Sequence, residues 1–271
     1  MSGAVMKSLI RLGATASLVG SALVGSLWLG VTQALALTPE QIMKKLGPVP
    51  VFTIANAQGA PLVAAPSGKN GQSVAGVFIS QKDAQAFLDG LKTKNPDLAK
   101  GVKVVPVSLA EIYKLDQDNQ GKPQGLDFAY VPSQQQVTSA VALLKQSGQQ
   151  VQQFNGTPLF VARGGAEKGY LTIQQGNQSV IPMFFKKEDL QALLERFKQQ
   201  QPNLANSLEI QVLNLEGLME VLKTKNDPQL DQIVLIPPQE SIEYVRSMMG
   251  NQPGQARPQP AQPKPQQAPK K

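Results

Sequence analysis

The chain contains one long internal repeat. Residues 72–99 align without a gap on residues 178–205, an offset of 106 positions, and 12 of the 28 aligned residues are identical. Unrelated segments of ordinary composition would match at about one position in fifteen. A repeat period of this length is too long for a solenoid, so we expect two packed halves that share one fold.

Both ends of the chain are expected to lie outside that fold. Residues 1–36 combine the bases Lys7 and Arg11, an uncharged apolar run and a small-x-small site ending at Ala36, the pattern of a cleaved signal peptide. Because the run is about 20 residues long, an uncleaved membrane anchor is the alternative. Residues 250–271 are rich in Pro and Gln, carry four bases and no acid, and predict a disordered basic tail.

The excess positive charge belongs to these ends. The whole chain has 26 bases and 19 acids, a net charge of +7, and six of the bases lie in the two ends, which leaves 20 bases against 19 acids from residue 37 to residue 249. A nearly neutral body gives no reason to expect a nucleic-acid partner. The basic tail is expected to make at most peripheral contact with a membrane.

The chain contains no His and no Cys. This removes the most frequent general base, the softest metal ligands and the Ser-His and Cys-His nucleophile systems. The one acid kept in both copies, Asp83 and Asp189, falls in the first turn of a predicted helix, where the helix dipole accounts for it. We therefore predict a protein that is not an enzyme, with no catalytic residues, no metal site and no cofactor. An exported chain without disulfides favours the periplasm or a photosynthetic lumen.

Apolar periodicity and turn chemistry predict the same order of elements in both halves. Ser80, Ser108 and Ser133 are expected to cap helices in the first half, and Asn214 in the second. Residues 62–65 are expected to return as the hairpin partner of the first strand, and Pro106 is expected to end its strand. The predicted strands cover residues 49–54, 62–65, 74–79, 102–105, 126–131, 159–162, 170–173, 180–185, 208–212 and 233–236.

These elements define an α+β fold. We predict two pseudo-symmetric repeats, residues 37–152 and 153–249, each with a mixed β-sheet flanked by helices. Neither repeat has enough long elements to close a core alone, so we expect them to pack around a pseudo-twofold axis. Such symmetry would produce two similar grooves.

The apolar run at residues 180–185 is the main candidate for a binding surface. It lacks alternation, so the strand is either covered on both faces or leaves one apolar face for a partner. Pro182 predicts an edge strand, because proline cannot donate a ladder hydrogen bond. Met248 and Met249 at the end of the last helix offer the flexible thioethers of a promiscuous surface. For each residue, packing in the core is the alternative. The candidate residues for binding apolar segments of client proteins are Phe78, Met183, Phe184, Phe185, Met248 and Met249.

Several segments resemble a known family. They are VPVFTIANAQGAPLV at residues 49–63, GVFISQKDAQAFLDGL at 76–91, VPVSLAEIYKL at 105–115 and the second-copy motif FFKKEDL at 184–190. They resemble the family of the twenty-two-kilodalton subunit of the chloroplast inner-envelope protein translocon (the Tic complex), over about residues 38–249. The predicted export signal favours the cyanobacterial branch of that family.

The resemblance implies a cofactor-free protein of two α+β halves. It further implies residence in the periplasm or thylakoid lumen, or in the chloroplast intermembrane space for plant relatives. It also implies a chaperone-like part in outer-membrane protein biogenesis near an Omp85-type insertase. The leading hypothesis is an ATP-independent protein-transport factor that binds unfolded or translocating proteins. The alternatives are a scaffold that docks on the insertase without binding clients, and a carboxylate-based cell-wall hydrolase.

Overall fold

The computed structural model describes residues 9–10, 36–64, 73–122, 125–164, 169–200 and 207–250, with the backbone alone for residues 9, 10, 249 and 250. The predicted signal peptide, apart from residues 9, 10 and 36, and the predicted tail beyond residue 250 lie outside the described residues. Within them, the chain is an α+β protein whose helices flank two mixed β-sheets.

The strands follow the predicted order, with bounds shifted by one to three residues at most ends. The strands are β1 (Leu9–Ile10), β2 (Pro50–Asn56), β3 (Val63–Ala64), β4 (Ser73–Phe78), β5 (Val102–Ser108), β6 (Leu126–Val131), β7 (Pro158–Gly164), β8 (Gly169–Leu171), β9 (Ile173–Gln175), β10 (Gln178–Phe184), β11 (Glu209–Asn214) and β12 (Ile233–Ile236).

The helices begin after the predicted cap residues, but the side chain of Ser133 makes no capping hydrogen bond. Ser108 and Glu111 form a reciprocal capping box, and Ser80 Oγ accepts a hydrogen bond from the backbone N–H of Asp83 at 3.3 Å. The α-helices are α1 (Pro39–Leu46), α2 (Gln81–Lys94), α3 (Pro96–Ala99), α4 (Leu109–Asn119), α5 (Gln134–Gln146), α6 (Lys187–Gln200), α7 (Leu215–Thr224) and α8 (Gln239–Gly250), with a 3₁₀ turn at Pro228–Gln232.

The two sheets have the same strand order and the same strand directions. In the first sheet β5, β2, β4 and β6 lie side by side, antiparallel except for the parallel pair β4–β6. In the second sheet β11, β7, β10 and β12 repeat that order, again with only the last pair, β10–β12, parallel. This agreement is compatible with two repeats of one ancestral unit.

Short strands extend both sheets beyond the shared order. In the first sheet β3 pairs with β4, and in the second β8, β9 and β1 pair with β7, β10 and β8. The hairpin expected between β2 and residues 62–65 forms only next to its turn. There Ala55 bridges Pro61 and the N–H of Leu62 donates to Ile54 O at 2.6 Å, whereas Val63 and Ala64 pair with β4.

Both sheets are buried on both faces. Alternate residues of the central strands point to one shared cluster that also includes α1, α4 and α7, for example Val51, Val77, Val161 and Met183. The residues between them point outward into two separate clusters, one under α2 and α3 and one under α5 and α6. Strands covered in this way read as continuous apolar runs, which explains the absence of alternation at residues 180–185.

Pro182 lies in a central strand, so the edge position predicted for it is wrong. The backbone N–H of Phe185 donates to Ile236 O in β12 at 3.1 Å, so the N–H groups of residues 181 and 183 also face β12. The nitrogen of Pro182 faces β7, where the ladder with β10 includes only the pair Phe184–Phe160. A missing donor is therefore tolerated at this point.

Pro106 lies inside β5, so it does not end the strand as predicted. It sits opposite Phe52, and the strand continues to Ser108. Among the described strands β5 pairs only with β2, and a proline is accepted on such an edge strand.

The last helix of each repeat packs on the other repeat's sheet. Helix α5, which follows β6 of the first sheet, packs against β7 and β11 of the second. Helix α8, which follows β12 of the second sheet, packs against β2 of the first. The N-terminal turns of both helices are anchored at corresponding places. Gln136 of α5 bonds the start of α6, and Ser241 of α8 donates to Ile79 O just before α2. This exchange ties the two repeats into one body.

None of the helices in the described part of the chain combines the length and the apolar content needed to cross a bilayer.

We expect Gln136→Ala to destabilise the protein by about 1–3 kcal/mol, because the partly buried N–H of Lys187 and the partly buried carboxylate of Glu188 lose a partner. The Gln136 side chain is 6% exposed, accepts from the backbone N–H of Lys187 at 2.9 Å and donates to Glu188 Oε2 at 2.8 Å. Urea denaturation measures the loss. Gln135→Ala is the matched control, since Gln135 is exposed and makes one 3.2 Å bond to the same carboxylate. Equal effects of the two changes would contradict the anchoring role.

The loss of stability caused by Gln136→Ala should depend on pH. Burial alone would raise the pKa of Glu188, but hydrogen bonds from Gln136, the helix backbone and Gln135 outweigh it and hold that pKa below its usual value. A carboxyl with a lowered pKa stabilises the folded state above the unfolded-state pKa, and the contribution is lost as the pH falls through the folded-state pKa. The difference between wild type and Gln136→Ala should therefore be larger at pH 7 than below the pKa of Glu188, as measured by denaturation across that range.

Candidate functional site

Most of the predicted client-binding residues lie in the interior. Met183 and Phe185 belong to the central cluster and are 1% and 2% exposed, whereas Phe78 and Phe184 point into the two outer clusters. Among these four, only Phe185 also borders a cleft. As the chain is folded, the apolar run at residues 180–185 presents no open apolar face.

The two methionines of the last helix differ from this set. Met248 is 45% exposed near the end of α8, and the side chain of Met249 lies outside the described residues. Of the six predicted residues, Met248 is therefore the one that the structure places on the surface. The structure does not bring it together with Phe78, Phe184 and the other interior candidates.

A cleft of about 500 Å³ lies between the two repeats. We call it the inter-repeat cleft. Its walls are the N-terminal turns of α2, α5 and α8 and the residues just before α6, so corresponding positions such as Ile79 and Phe185 face it from both repeats. The sequence could not reveal this cleft, because its walls come together only through the exchange of α5 and α8.

Two charged groups of the inter-repeat cleft pair with each other, whereas Asp83 Oδ2 in its lining is buried without a hydrogen-bond partner among the described residues. Lys186 Nζ lies 3.1 Å from Glu240 Oε1. Burial acts to lower the pKa of Lys186, but the hydrogen bond and charge of Glu240 outweigh it and raise that pKa. Beside them, burial raises the pKa of Asp189, an effect that the charge of Lys186 opposes.

A second concave surface of about 370 Å³ lies between α8 and the end of β5. We call it the α8 groove. It is shallow and open to solvent, and its apolar walls consist of Pro48, Pro50, Pro106, Val107, Ile242 and Val245.

The walls of the α8 groove are rigid. Three of the six apolar residues are prolines, whose rings fix the backbone angle φ in the wall opposite α8. Ser108 Oγ donates to Gly47 O at 3.1 Å and ties the end of β5 to the turn before β2. Glu111 and Arg246 add one charge of each sign to its lining. A preformed apolar groove with a few polar groups is suited to binding an apolar segment.

Sequence reasoning missed the groove although its residues carried signals. Ile242 and Val245 lie three residues apart, as in the apolar stripe of a helix, and such a stripe predicts burial but not its partner. Pro106 predicts the end of a strand, whereas in the structure it lines the α8 groove. The expectation of two similar grooves is not met for this surface, because the corresponding residues Pro158 and Ala140 of the second repeat are buried.

A third hollow of about 290 Å³ lies between α4, α7 and β6. It combines Tyr113 and Tyr130 with the acids Asp116, Glu216 and Glu220. Burial raises the pKa of Asp116, and burial together with the charges of Asp116 and Glu216 raises the pKa of Tyr130. Across the described ranges, no cluster of three or more acidic side chains is suited to holding a metal ion.

The fold and its surfaces define a class: a two-repeat α+β protein with exchanged terminal helices and a rigid apolar groove. Comparison with known proteins gives the family. Residues 1–247 match the model of the Tic22-like family, and the chain belongs to that family.

Relatives of known name and structure support this assignment. The chain is 30% identical over 206 residues to "Protein TIC 22-like, chloroplastic" of Arabidopsis thaliana, covering 74% of this chain and 62% of that protein's length. It is 26% identical to "Protein TIC 22, chloroplastic" of Pisum sativum over 206 residues, which cover 76% of this chain and 75% of that protein.

Solved structures share the fold. The structure of Anabaena Tic22, described as a protein of protein transport, matches with a TM-score of 0.70 and 38% sequence identity over 78% of this chain and 97% of that one. Tic22 from Plasmodium falciparum matches with a TM-score of 0.61 at 22% identity, over 78% and 99% of the two chains, and supports the fold alone.

Burial of the predicted candidates can be tested by comparing two methionines. Met183→Ala should destabilise the protein by about 2–5 kcal/mol, because it leaves a cavity in the central cluster. Met248→Ala, at a position 45% exposed, should change stability by less than about 0.5 kcal/mol. Chemical denaturation of both variants provides the comparison, and a small loss for Met183→Ala would show that residue to be less buried than the structure places it.

Proposed function

We propose that this protein is a chaperone-like protein-transport factor that binds apolar segments of translocating or outer-membrane proteins without ATP. The observation that carries the proposal is the α8 groove, which keeps apolar side chains on a rigid, open surface. Membership of the Tic22-like family supports a part in protein transport. The predicted candidates in the core do not supply such a surface, so the groove replaces them as the proposed binding site.

The size of the groove fits weak and reversible binding. Burying one large apolar side chain stabilises a complex by about 1.5–3 kcal/mol, from which the ordering of the bound segment must be subtracted. A single groove of this size therefore holds a client segment with low affinity. Release then requires no energy source, which suits a factor that passes a client on.

We further propose an exported location, in the periplasm or a thylakoid lumen, and an Omp85-type insertase as a partner. The predicted signal peptide supports export, and the absence of cysteine favours the periplasm or a lumen among exported locations. The plant relatives are chloroplastic by name, and the insertase is proposed from the family resemblance alone.

Suppression of aggregation tests the proposal. The full chain, at several-fold molar excess over an unfolded outer-membrane protein diluted from urea, should reduce light scattering by at least half. Val245→Glu, which places a charge inside the α8 groove, should abolish most of this effect because an unpaired charge is costly at an apolar contact. Ser247→Glu, on the same helix at an exposed position outside the groove lining, should leave it unchanged.

Two results would contradict the proposal. No suppression by the wild-type chain would favour a scaffold that binds no client. Equal suppression by wild type and Val245→Glu, with both shown to be folded by thermal melting, would remove the α8 groove from the function.

A further inference from the structure

The third hollow, between α4, α7 and β6, places acids beside aromatic rings. We call it the tyrosine hollow. Tyr113, Phe128 and Tyr130 line it together with Asp116 and Glu220. Tyr113 and Asp116 lie three residues apart on α4 and therefore share one face of that helix. Aromatic faces and carboxylates both attract cations, so the lining favours a positively charged ligand.

A buried hydroxyl and two acids of the tyrosine hollow have no cationic partner. Tyr113 is 7% exposed, yet its hydroxyl makes no hydrogen bond to any residue in the described part of the chain. That oxygen is not enclosed by protein either, so it faces the hollow that Tyr113 lines. Asp116 and Glu220 take part in none of the ion pairs among the described residues. Glu216, by contrast, already accepts from the backbone N–H and the hydroxyl of Thr157.

The titration of these groups reflects the missing positive charge. Burial raises the pKa of Asp116, although a hydrogen bond from Gln117 and the charge of Lys223 act against it. Burial also raises the pKa of Tyr113, and the charges of Glu220 and Asp116 add to the effect. A cation in the tyrosine hollow would oppose both shifts, because it favours the charged form of each acid.

The size and walls of the tyrosine hollow limit the kind of cation. Its volume of about 290 Å³ lies at the lower end of the range for small-molecule pockets, so it suits a single side chain. Aromatic walls favour an ammonium or guanidinium group, whereas hard metal ions take several oxygen ligands. The ligand class is therefore a lysine or arginine side chain.

The chain's own C-terminal segment supplies such groups. Residues 251–271 carry four bases and no acid, whereas residues 37–249 carry 20 bases and 19 acids. The four bases are Arg257, Lys264, Lys270 and Lys271. The excess positive charge of this segment complements the acids of the tyrosine hollow.

The C-terminal segment is long enough to reach the tyrosine hollow. It follows directly on α8, and Arg246 of α8 and Glu111 of α4 both line the α8 groove, so the last turns of α8 lie beside the start of α4. Asp116 lies about 7.5 Å further along α4. Residues 251–264 span about 43 Å in an extended polyproline-type conformation, which brings Lys264 within reach.

We propose that the tyrosine hollow binds one lysine or arginine side chain of the chain's own C-terminal segment, residues 251–271. A site for one side chain binds a free cation weakly, but a tethered cation is present at a high effective concentration, so weak binding is sufficient. The inference goes beyond the proposed function and does not depend on it, since the tyrosine hollow and the α8 groove share no lining residue.

Carbodiimide coupling of the full wild-type chain tests the contact, because this reagent joins an amine to a carboxylate that lies beside it. Mass spectrometry should find Asp116 or Glu220 joined to a lysine of residues 251–271 about fivefold more often than Glu243. Glu243 is the matched control, since it is an exposed acid of α8 and lies much nearer to the segment along the chain. Preferential coupling of Glu243 would contradict the proposal.

Methyl NMR of the full chain tests the same site independently. Met219 lines the tyrosine hollow, so its methyl signal should shift when the four bases of residues 251–271 are all replaced by Gln. Asp116→Asn should remove most of this response. Asp118→Asn should retain it, because Asp118 on the same helix pairs with Lys114 and does not line the hollow. Thermal melting of both variants shows whether they are folded.

Three further results would each overturn the proposal and name a different occupant. Coupling of the hollow's acids to Lys223 alone would show that the lysine of the lining fills it. In an equal mixture of isotopically heavy and light chains, coupled peptides of mixed label would show that the cation comes from a second copy. A Met219 signal that removal of the four charges leaves unchanged, but that added pentalysine shifts, would assign the hollow to a basic segment of another protein.

Discussion

Burial of each β-sheet on both faces is the constraint on which the rest of this structure depends. One shared cluster collects the inner faces of both sheets with α1, α4 and α7, and each outer face needs its own helices. The last helix of each repeat packs on the other repeat's sheet, so one repeat by itself lacks part of this cover. The two repeats meet this need by exchanging their last helices, so each half completes the other, and buried Gln136 and Ser241 hold the exchange in place.

This constraint explains which features were readable in the sequence. Strand positions and helix caps such as Ser80, Ser108 and Asn214 depend on local chemistry, and the structure confirms them. The sheet that a helix covers depends on a choice between two nearly equivalent surfaces. Duplication makes those surfaces alike, so the apolar stripe of α5 contains no information about which sheet it meets. The wrong prediction of an edge strand at Pro182 has a related cause. A proline shows that one backbone donor is missing, but not that the strand has no neighbour on that side, and here β7 lies there with a short ladder.

The candidate site could not be predicted from the sequence for a similar reason. An apolar residue such as Met183 satisfies the pattern of a core strand and of a binding face equally well, and only the cover on both faces decides between them. The residues that do form a groove are prolines at turns and an ordinary helical stripe. Their role depends on how α8 lies beside β5, and α8 contacts the neighbouring strand β2 through Tyr244 and Phe52. The distance between two elements far apart in the chain does not affect the apolar periodicity of either element, so the sequence cannot reveal it.

The two repeats differ in how the chain enters the first strand of each sheet. In the second repeat the connection that leads into β7 lays Phe154 against the outer cluster. In the first repeat the chain arrives through α1, whose buried residues belong to the central cluster. Leaving apolar walls in water costs about 25 cal/mol per Å² of surface that could be covered. The α8 groove keeps such walls open to solvent, so their burial is available to a partner.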